Sequence, residues 1–192
     1  ARALITVEQV PECEAINGTR VDLYGVDLPD LGTRVEELCL GFPVAVLFNG
    51  QPLKRPLAEG HLATQASPIG AVHLAGTLDG KYSHETMVFL QGFCVLKPTY
   101  CLRDELNVVH LDSRQFMARL PDRDKLIDED VQRKRIDAEL KACWRNTLEI
   151  ARTRLSPERF VETYYAVMRG WGQLDLLNDL DVLPAELCDA IV

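Results

Sequence analysis

The sequence lacks the short motifs that mark most nucleotide, metal and acyl-transfer sites. It contains neither the GxxxxGK(S/T) loop nor the GxGxxG turn, both of which cradle phosphate groups. It also lacks the HExxH zinc helix, cysteine and histidine pairs at zinc spacing, and the GxSxG turn around a nucleophilic serine. No class of catalysis can therefore be assigned from a local motif.

Long apolar runs and positive charge are also scarce. No run approaches the roughly 20 residues that a membrane-spanning helix needs, so we predict no membrane span. The 21 lysines and arginines are outnumbered by 29 acidic residues, giving a net charge of −8. This balance argues against nucleic-acid binding by the surface as a whole, although a local basic patch remains open. None of the six cysteines forms a CxxC pair, so we predict reduced thiols and a cytoplasmic protein.

The first 125 residues have the alternation and turn residues typical of short strands. The segments predicted as strands are Leu4–Val10, Thr19–Val26, Phe42–Phe48, Gln51–Pro56, Ile69–Leu78, Glu85–Leu96 and Leu106–Asp112. Asn49-Gly50 predicts a hairpin turn. Gln91-Gly92 interrupts a predicted strand and indicates a bulge or a close backbone approach. One helix is predicted in this half, over Thr33–Leu40.

From Leu126 the apolar period becomes helical, which predicts a helix to about Leu155. Its apolar face is predicted to hold Val131, Ile136, Leu140, Cys143, Trp144, Thr147, Ile150 and Ala151. Ser156-Pro157 predicts the start of the next helix, because serine caps well and proline suits the first turn. Short helices are expected over Leu174–Leu180 and Pro184–Ile191. The resulting class is α+β: a β-rich core over 1–125, a long helix over 126–155 and a helical extension over 156–192.

A charged corner links the last predicted strand to the long helix. Arg114, Arg119, Arg123 and Lys125 could bind a phosphate or a partner domain there. Their alternative role is ion pairing with Asp112, Asp122, Asp124 and Asp128. Asp122, Asp124, Asp128 and Asp130 could hold a metal ion, but acids at a helix start also suit the helix dipole, and we expect no metal site.

His110 lies among apolar residues in the last predicted strand. We interpret it as a hydrogen-bonded packing residue. A second hypothesis pairs Cys94 and His110 as nucleophile and base on adjacent strands. Trp144 and Trp171 are interpreted as core residues.

Several segments together resemble the middle, transducer region of the ATPase superfamily that includes gyrase, heat-shock proteins, histidine kinases and mismatch-repair proteins (GHKL). The segments are Asn17–Leu23, which resembles the GT-x-V-x-L strand, then Phe42–Phe48 with Asn49–Pro56, Phe89–Val95, Asn107–Asp112 and the long helix from Leu126. The resemblance covers about residues 15–155.

The resemblance implies a mixed sheet with a βαβ-type connection that couples nucleotide state to neighbouring domains. The superfamily's ATP-binding motifs are missing from this sequence, so the resemblance implies an ATP-binding domain upstream of Ala1 and no ATP hydrolysis by this chain alone. No cofactor is then expected here, while ATP and Mg²⁺ would bind in the parent protein, which we expect to be a homodimer.

In this superfamily a transducer lysine reaches the nucleotide. The resemblance offers Lys54, Lys97 and Lys125 for that role, with Arg114 and Arg119 as alternatives. The other hypothesis for the whole chain is a stand-alone, non-enzymatic scaffold or protein-interaction module.

Overall fold

The computed structural model describes residues 29–98, 106–120, 123–178 and 180–181. The chain divides into two compact units, Ala1–Leu31 and Gly32–Val192, and all the described strands belong to the second. Among the described residues, no helix is long and apolar enough to cross a bilayer. The strands predicted over Leu4–Val10 and Thr19–Val26 and the helix over Pro184–Ile191 lie outside the described residues.

The described elements confirm the α+β class. In chain order they are α1 (Leu31–Cys39), β1 (Leu47–Phe48), β2 (Gln51–Pro52), a 3₁₀ helix (Glu59–His61), β3 (Gln65–Ser67), β4 (Gly70–His73), β5 (Thr86–Leu90), β6 (Phe93–Leu96), β7 (Asn107–Leu111), α2 (Glu129–Arg154), α3 (Pro157–Gly170) and a second 3₁₀ helix (Leu174–Leu177).

The main sheet is built from two hairpins with the last strand inserted between them. Its strand order is β3-β4-β7-β5-β6. β7 pairs antiparallel with β4, with Val72 opposite Val109, and parallel with β5, with Val88 opposite Val109. Among the described strands, the chain therefore reaches the centre of the sheet last, and β3 and β6 lie at the two edges.

Alternate residues along each strand point to opposite faces of this sheet. Apolar side chains pack against both faces. Val88 and Val109 point toward α2 and α3, in a core that also holds Trp144 and Phe160, each of them fully buried. On the other face, Phe89 packs with Leu57 in a second cluster. The predicted division of the chain into three regions, at residues 125 and 155, stays a prediction. In the structure, α2, α3 and the sheet share one hydrophobic core.

The two long helices begin close to where the sequence places them. The Ser156 hydroxyl accepts a hydrogen bond from the Arg159 backbone N–H at 3.3 Å, which confirms the predicted cap of α3. The predicted buried face of α2 is wrong at Val131 and Ile150, which are 65% and 43% exposed. Val131 lies about two and a half turns from Leu140, so it points away from the core. The buried face of α2 instead includes Leu148.

The buried strand predicted over Phe42–Phe48 is wrong. Only Leu47 and Phe48 pair, with Pro52 and Gln51, and Val44 and Leu47 are mostly exposed. The prolines in both segments limit the backbone donors available to a ladder. The hairpin turn at Asn49-Gly50 is confirmed, with φ of 50° and 77°.

The segment predicted as one strand over Glu85–Leu96 is two strands. Gln91 and Gly92 have φ of 54° and 86°, which closes a tight hairpin turn between β5 and β6 in place of a bulge. The predicted alternative, a close backbone approach, is confirmed, because a Cβ on Gly92 would lie 3.1 Å from the Phe42 Cα. The strand predicted over Ile69–Leu78 is also shorter, ending at His73.

The connection from β4 to β5 leaves the sheet and docks on α3. The Tyr164 hydroxyl donates to the Thr77 carbonyl at 2.6 Å, and the Tyr82 hydroxyl donates to the Gly170 carbonyl at 3.3 Å. Gly80, with φ of 69°, approaches α3 so closely that a Cβ would lie 1.6 Å from the Thr163 carbonyl oxygen. Only glycine can occupy that contact.

Asn107, the first residue of β7, ties both ends of this connection to the sheet. Its side-chain oxygen accepts from the Ala75 N–H at 3.0 Å, and its amide nitrogen donates to the Ser83 carbonyl at 3.0 Å. Its own backbone N–H donates to the Glu85 carbonyl at 2.9 Å. The side chain is fully buried, so water cannot replace these bonds.

We expect Asn107→Ala to lower the free energy of unfolding by about 2–4 kcal/mol, because it leaves a buried N–H and a buried C=O without partners. Urea denaturation followed by circular dichroism measures this loss. Asn146→Ala, at an exposed position of α2, is the matched control and should change stability by less than about 0.5 kcal/mol. Equal effects of the two substitutions would contradict the role assigned to Asn107.

Candidate functional site

A groove of about 580 Å³ runs along the sheet edge formed by β6. One wall is α1, and the other is the segment that leads into α2. The lining residues are Arg34, Glu37, Leu38, Phe93, Cys94, Val95, Leu96, Lys97, Arg123, Asp124, Lys125, Glu129 and Arg133. The groove thus brings together three segments that are far apart in sequence.

The groove is basic although the protein is acidic. Five of its residues are basic and three are acidic. Two of the acids are engaged: Asp124 lies 3.9 Å from the Arg119 guanidinium, and Glu129 lies 2.8 Å from that of Arg133.

Within the described residues, Arg34, Lys97 and Lys125 form no ion pair. The groove therefore presents uncompensated positive charge to solvent, as an anion-binding surface does.

Arg123 is held in place at the mouth of this groove. Its guanidinium lies 5.8 Å from the centroid of the Phe93 ring and donates a long hydrogen bond, 3.4 Å, to the Gln91 side-chain oxygen. Both partners belong to the β5–β6 hairpin, and a left-handed backbone at Arg123 (φ 54°) turns the chain toward it. The guanidinium keeps unused donors that a carboxylate or phosphate can accept.

The site residues predicted from the sequence lie in different places in the structure. Lys97, Arg123 and Lys125 line the groove. Arg119 borders a neighbouring depression with exposed Met117 and Leu120. Lys54 is exposed just after β2 and lines neither of these cavities. The contact role of all these residues stays a prediction.

Arg114 makes the local ion pair that the alternative interpretation described. Its guanidinium donates to both Asp112 carboxylate oxygens, the shortest bond being 2.9 Å. These bonds, with one from the Arg114 backbone, hold the pKa of Asp112 well below its ordinary range. The Arg114 side chain remains 88% exposed.

Sequence reasoning missed Arg34 and Arg133 as members of the groove. Arg34 lies on α1 and Arg133 one turn into α2, and only the packing of α1 and α2 beside β6 brings them together. No spacing pattern connects these positions. A basic residue on each helix is the only sequence signal, and it is common on solvated faces.

The hypothesis that Cys94 and His110 are a nucleophile and base on adjacent strands is wrong. β5 separates their strands, and its Phe89 is paired with both residues. His110 is a packing residue, as interpreted: its Nε2–H donates to the Leu57 carbonyl at 2.8 Å. Its ring stacks on Phe89 at 5.2 Å. Burial lowers the pKa of His110, against the opposing effects of this hydrogen bond and of Glu59.

The acids before α2 do not assemble a metal site in the described part of the chain, where no group of three or more His, Cys, Asp or Glu side chains could hold a metal ion. Glu129 and Asp130 lie in the first turn of α2. There they stabilise the helix through its dipole.

The chain matches no protein-family model, no curated protein and no solved structure. The resemblance to the GHKL transducer region therefore stays a prediction from the sequence. The groove is defined by geometry and charge alone.

We expect protonation of His110 to destabilise the fold. The unfolded chain takes up this proton near the ordinary pKa of 6.5, whereas the folded chain resists it. The free energy of unfolding should therefore fall by up to about 1.4 kcal/mol for each pH unit below 6.5. The fall should stop once the pH is below the lowered pKa of His110 in the folded protein. His110→Gln removes the titration and keeps a donor for Leu57.

Urea unfolding of both proteins between pH 7.5 and 5 checks this expectation. The His110→Gln protein should lose less stability than the wild type as the pH falls, and the carboxylate contributions common to both proteins cancel in the difference. Parallel pH profiles would contradict it.

Proposed function

We propose that this chain is the coupling region of a GHKL-type ATPase. In this role it receives an ATP-binding domain of the same polypeptide and passes its nucleotide state to the rest of the protein. Three features support the proposal: the Asn49-Gly50 hairpin, the central strand β7 and the long helix after it all lie in segments that resemble the superfamily.

The basic groove is the observation that carries the proposal. A coupling region needs a surface that senses an anionic group, and Lys97, Arg123 and Lys125 provide positive charge at the corner between β6 and α2. This charge is local in a protein of net charge −8, so it steers an anionic partner to one place.

The long helix α2 connects the groove to the hydrophobic core. Glu129 and Arg133, in the first two turns of α2, form part of its wall. α2 has 26 residues and is therefore about 39 Å long. Because its inner face is packed around the fully buried Trp144, a partner that shifts the start of α2 would move it as a rigid lever.

A protein-interaction module that needs no nucleotide is the second candidate function. It is favoured by exposed apolar side chains beside the charged corner: Met117, Leu120 and Ile127 are 68%, 71% and 45% exposed. They border a depression of about 450 Å³ together with Arg119. Exposed apolar residues grouped in this way are typical of protein contacts.

The test uses the complete polypeptide that contains this chain, in which we expect an ATP-binding domain and dimerisation. Calorimetry with a non-hydrolysable ATP analogue and Mg²⁺ should detect nucleotide binding. Lys97→Ala and Arg123→Ala should each lower kcat for ATP hydrolysis about tenfold, equivalent to about 1.4 kcal/mol, with nucleotide affinity retained.

Lys81→Ala is the matched control for this experiment, because Lys81 is exposed on the β4–β5 connection and does not line the groove. It should leave kcat unchanged. A polypeptide that does not bind nucleotide would contradict the coupling proposal and favour the interaction module.

A further inference from the structure

A depression of about 530 Å³ lies where the β4–β5 connection docks on α3. The connection contributes Tyr82 and His84, and α3 contributes the remaining lining residues: Tyr165, Ala166, Arg169 and Gly170. The depression shares no lining residue with the basic groove. Its volume falls within the range of roughly 300–1,000 Å³ that is typical of small-molecule sites.

Contacts within the protein hold the aromatic wall of this depression in place. The Tyr82 hydroxyl donates to the Gly170 carbonyl, and a Cβ on Gly170 would lie 2.1 Å from the Tyr82 ring. The ring therefore packs directly on the backbone of α3. It also meets the rings of His84 and Trp171 edge to face, at centroid distances of 4.6 and 6.4 Å. Because Trp171 is buried in the main core, little ordering is left for a ligand to bring about.

Arg169 adds an unused positive charge to the depression. It is exposed and forms no ion pair with any residue in the part of the chain that the structure describes. A basic residue at the end of a helix often bonds to free carbonyls. Here the carbonyls of residues 167–169 accept from the backbone N–H groups of residues 171–173, and that of Gly170 accepts from Tyr82. The Arg169 guanidinium therefore keeps its donors for an anion.

The lining combines an apolar surface with this cation. The Tyr82 ring and the Ala166 methyl group provide the apolar part, beside the Arg169 guanidinium. A planar ring packs well on aromatic side chains, and a carboxylate accepts two parallel hydrogen bonds from a guanidinium. A ligand that carries both groups would use both parts of the lining.

We propose that this depression binds a small aromatic carboxylate, whose carboxylate pairs with Arg169 and whose ring packs against Tyr82. The site goes beyond the coupling function and does not depend on it, because it is separate from the groove. A ligand here would contact both α3 and the β4–β5 connection. Its binding should therefore also raise the midpoint of thermal unfolding.

The experiment is an NMR titration of the ¹⁵N-labelled 192-residue chain with 2-naphthoate. The protein has two tryptophans and so two indole N–H signals, which triple-resonance spectra assign. The Trp171 signal should shift saturably with a Kd of about 1 mM or lower, because the bound ring lies beside its aromatic neighbours. The Trp144 signal, from the fully buried core, is the internal control and should not shift.

Two further probes separate the contribution of the ring from that of the charge. 2-Naphthamide keeps the ring but lacks the charge, and acetate keeps the charge but lacks the ring. Each should bind at least about fivefold more weakly than 2-naphthoate, because each can use only one part of the lining.

Variants locate the site. Arg169→Gln should weaken 2-naphthoate binding at least about fivefold and leave 2-naphthamide binding unchanged. Arg154→Gln is the matched control, since Arg154 is a basic residue in the last turn of α2 and lies outside the depression. Ala166→Phe, at an exposed position, should fill the depression and block both probes. Circular dichroism establishes that each variant is folded.

Several results would overturn the proposal. They are an absence of 2-naphthoate binding, equal binding of 2-naphthamide or acetate, and 2-naphthoate binding that Arg169→Gln leaves unchanged. Amide shifts at Lys97 and Lys125 without a shift at Trp171 would place the anion in the basic groove instead. No nucleotide is used, so the outcome is independent of the ATPase experiment.

Discussion

The position of β7 is the constraint on which the rest of the described structure depends. In the part of the chain that the structure describes, the β3–β4 and β5–β6 hairpins share no backbone hydrogen bonds, and the insertion of β7 makes them one sheet. Its residues Val108 and Val109 are buried on opposite faces, so the same strand also links the two apolar clusters. Asn107 fixes the start of the strand to the connection that docks on α3. A hairpin alone is marginally stable in water, which is why this late, non-local pairing matters.

The same topology positions the basic groove. Because β7 occupies the centre of the described sheet, β6 lies at an edge of that sheet. α1 and the segment that leads into α2 supply the groove walls beside it. The edge is basic through residues drawn from three segments, whereas the protein as a whole is acidic. Charge at a strand edge commonly prevents unwanted pairing with other strands.

The sequence predicts the parts of this fold that are encoded locally. Asn49-Gly50 and Ser156-Pro157 identify a turn and a helix start, because their backbone preferences act within a few residues. Gln91-Gly92 also closes a hairpin with left-handed residues, as Asn49-Gly50 does. Glutamine has no strong preference for that conformation, so the sequence pattern predicts one continuous strand there. Phe42–Phe48 is apolar enough for a buried strand, yet burial requires a partner surface that composition cannot specify. For the same reason, Lys97 and Arg123 could be selected as basic residues, whereas Arg34 could join them only through tertiary packing.

Native-state hydrogen exchange tests most directly whether β7 unites the sheet. The amides of β7, and those of β4 and β5 that bond to it, should exchange only through global unfolding, with the free energy that urea denaturation gives. The two hairpins should then show the same free energy of opening in their ladder amides. If the β5–β6 amides exchange through a separate opening several kcal/mol below global unfolding, while β3–β4 and β7 stay protected, the hairpins are independent units. The account of a single sheet held by its central strand would then be contradicted.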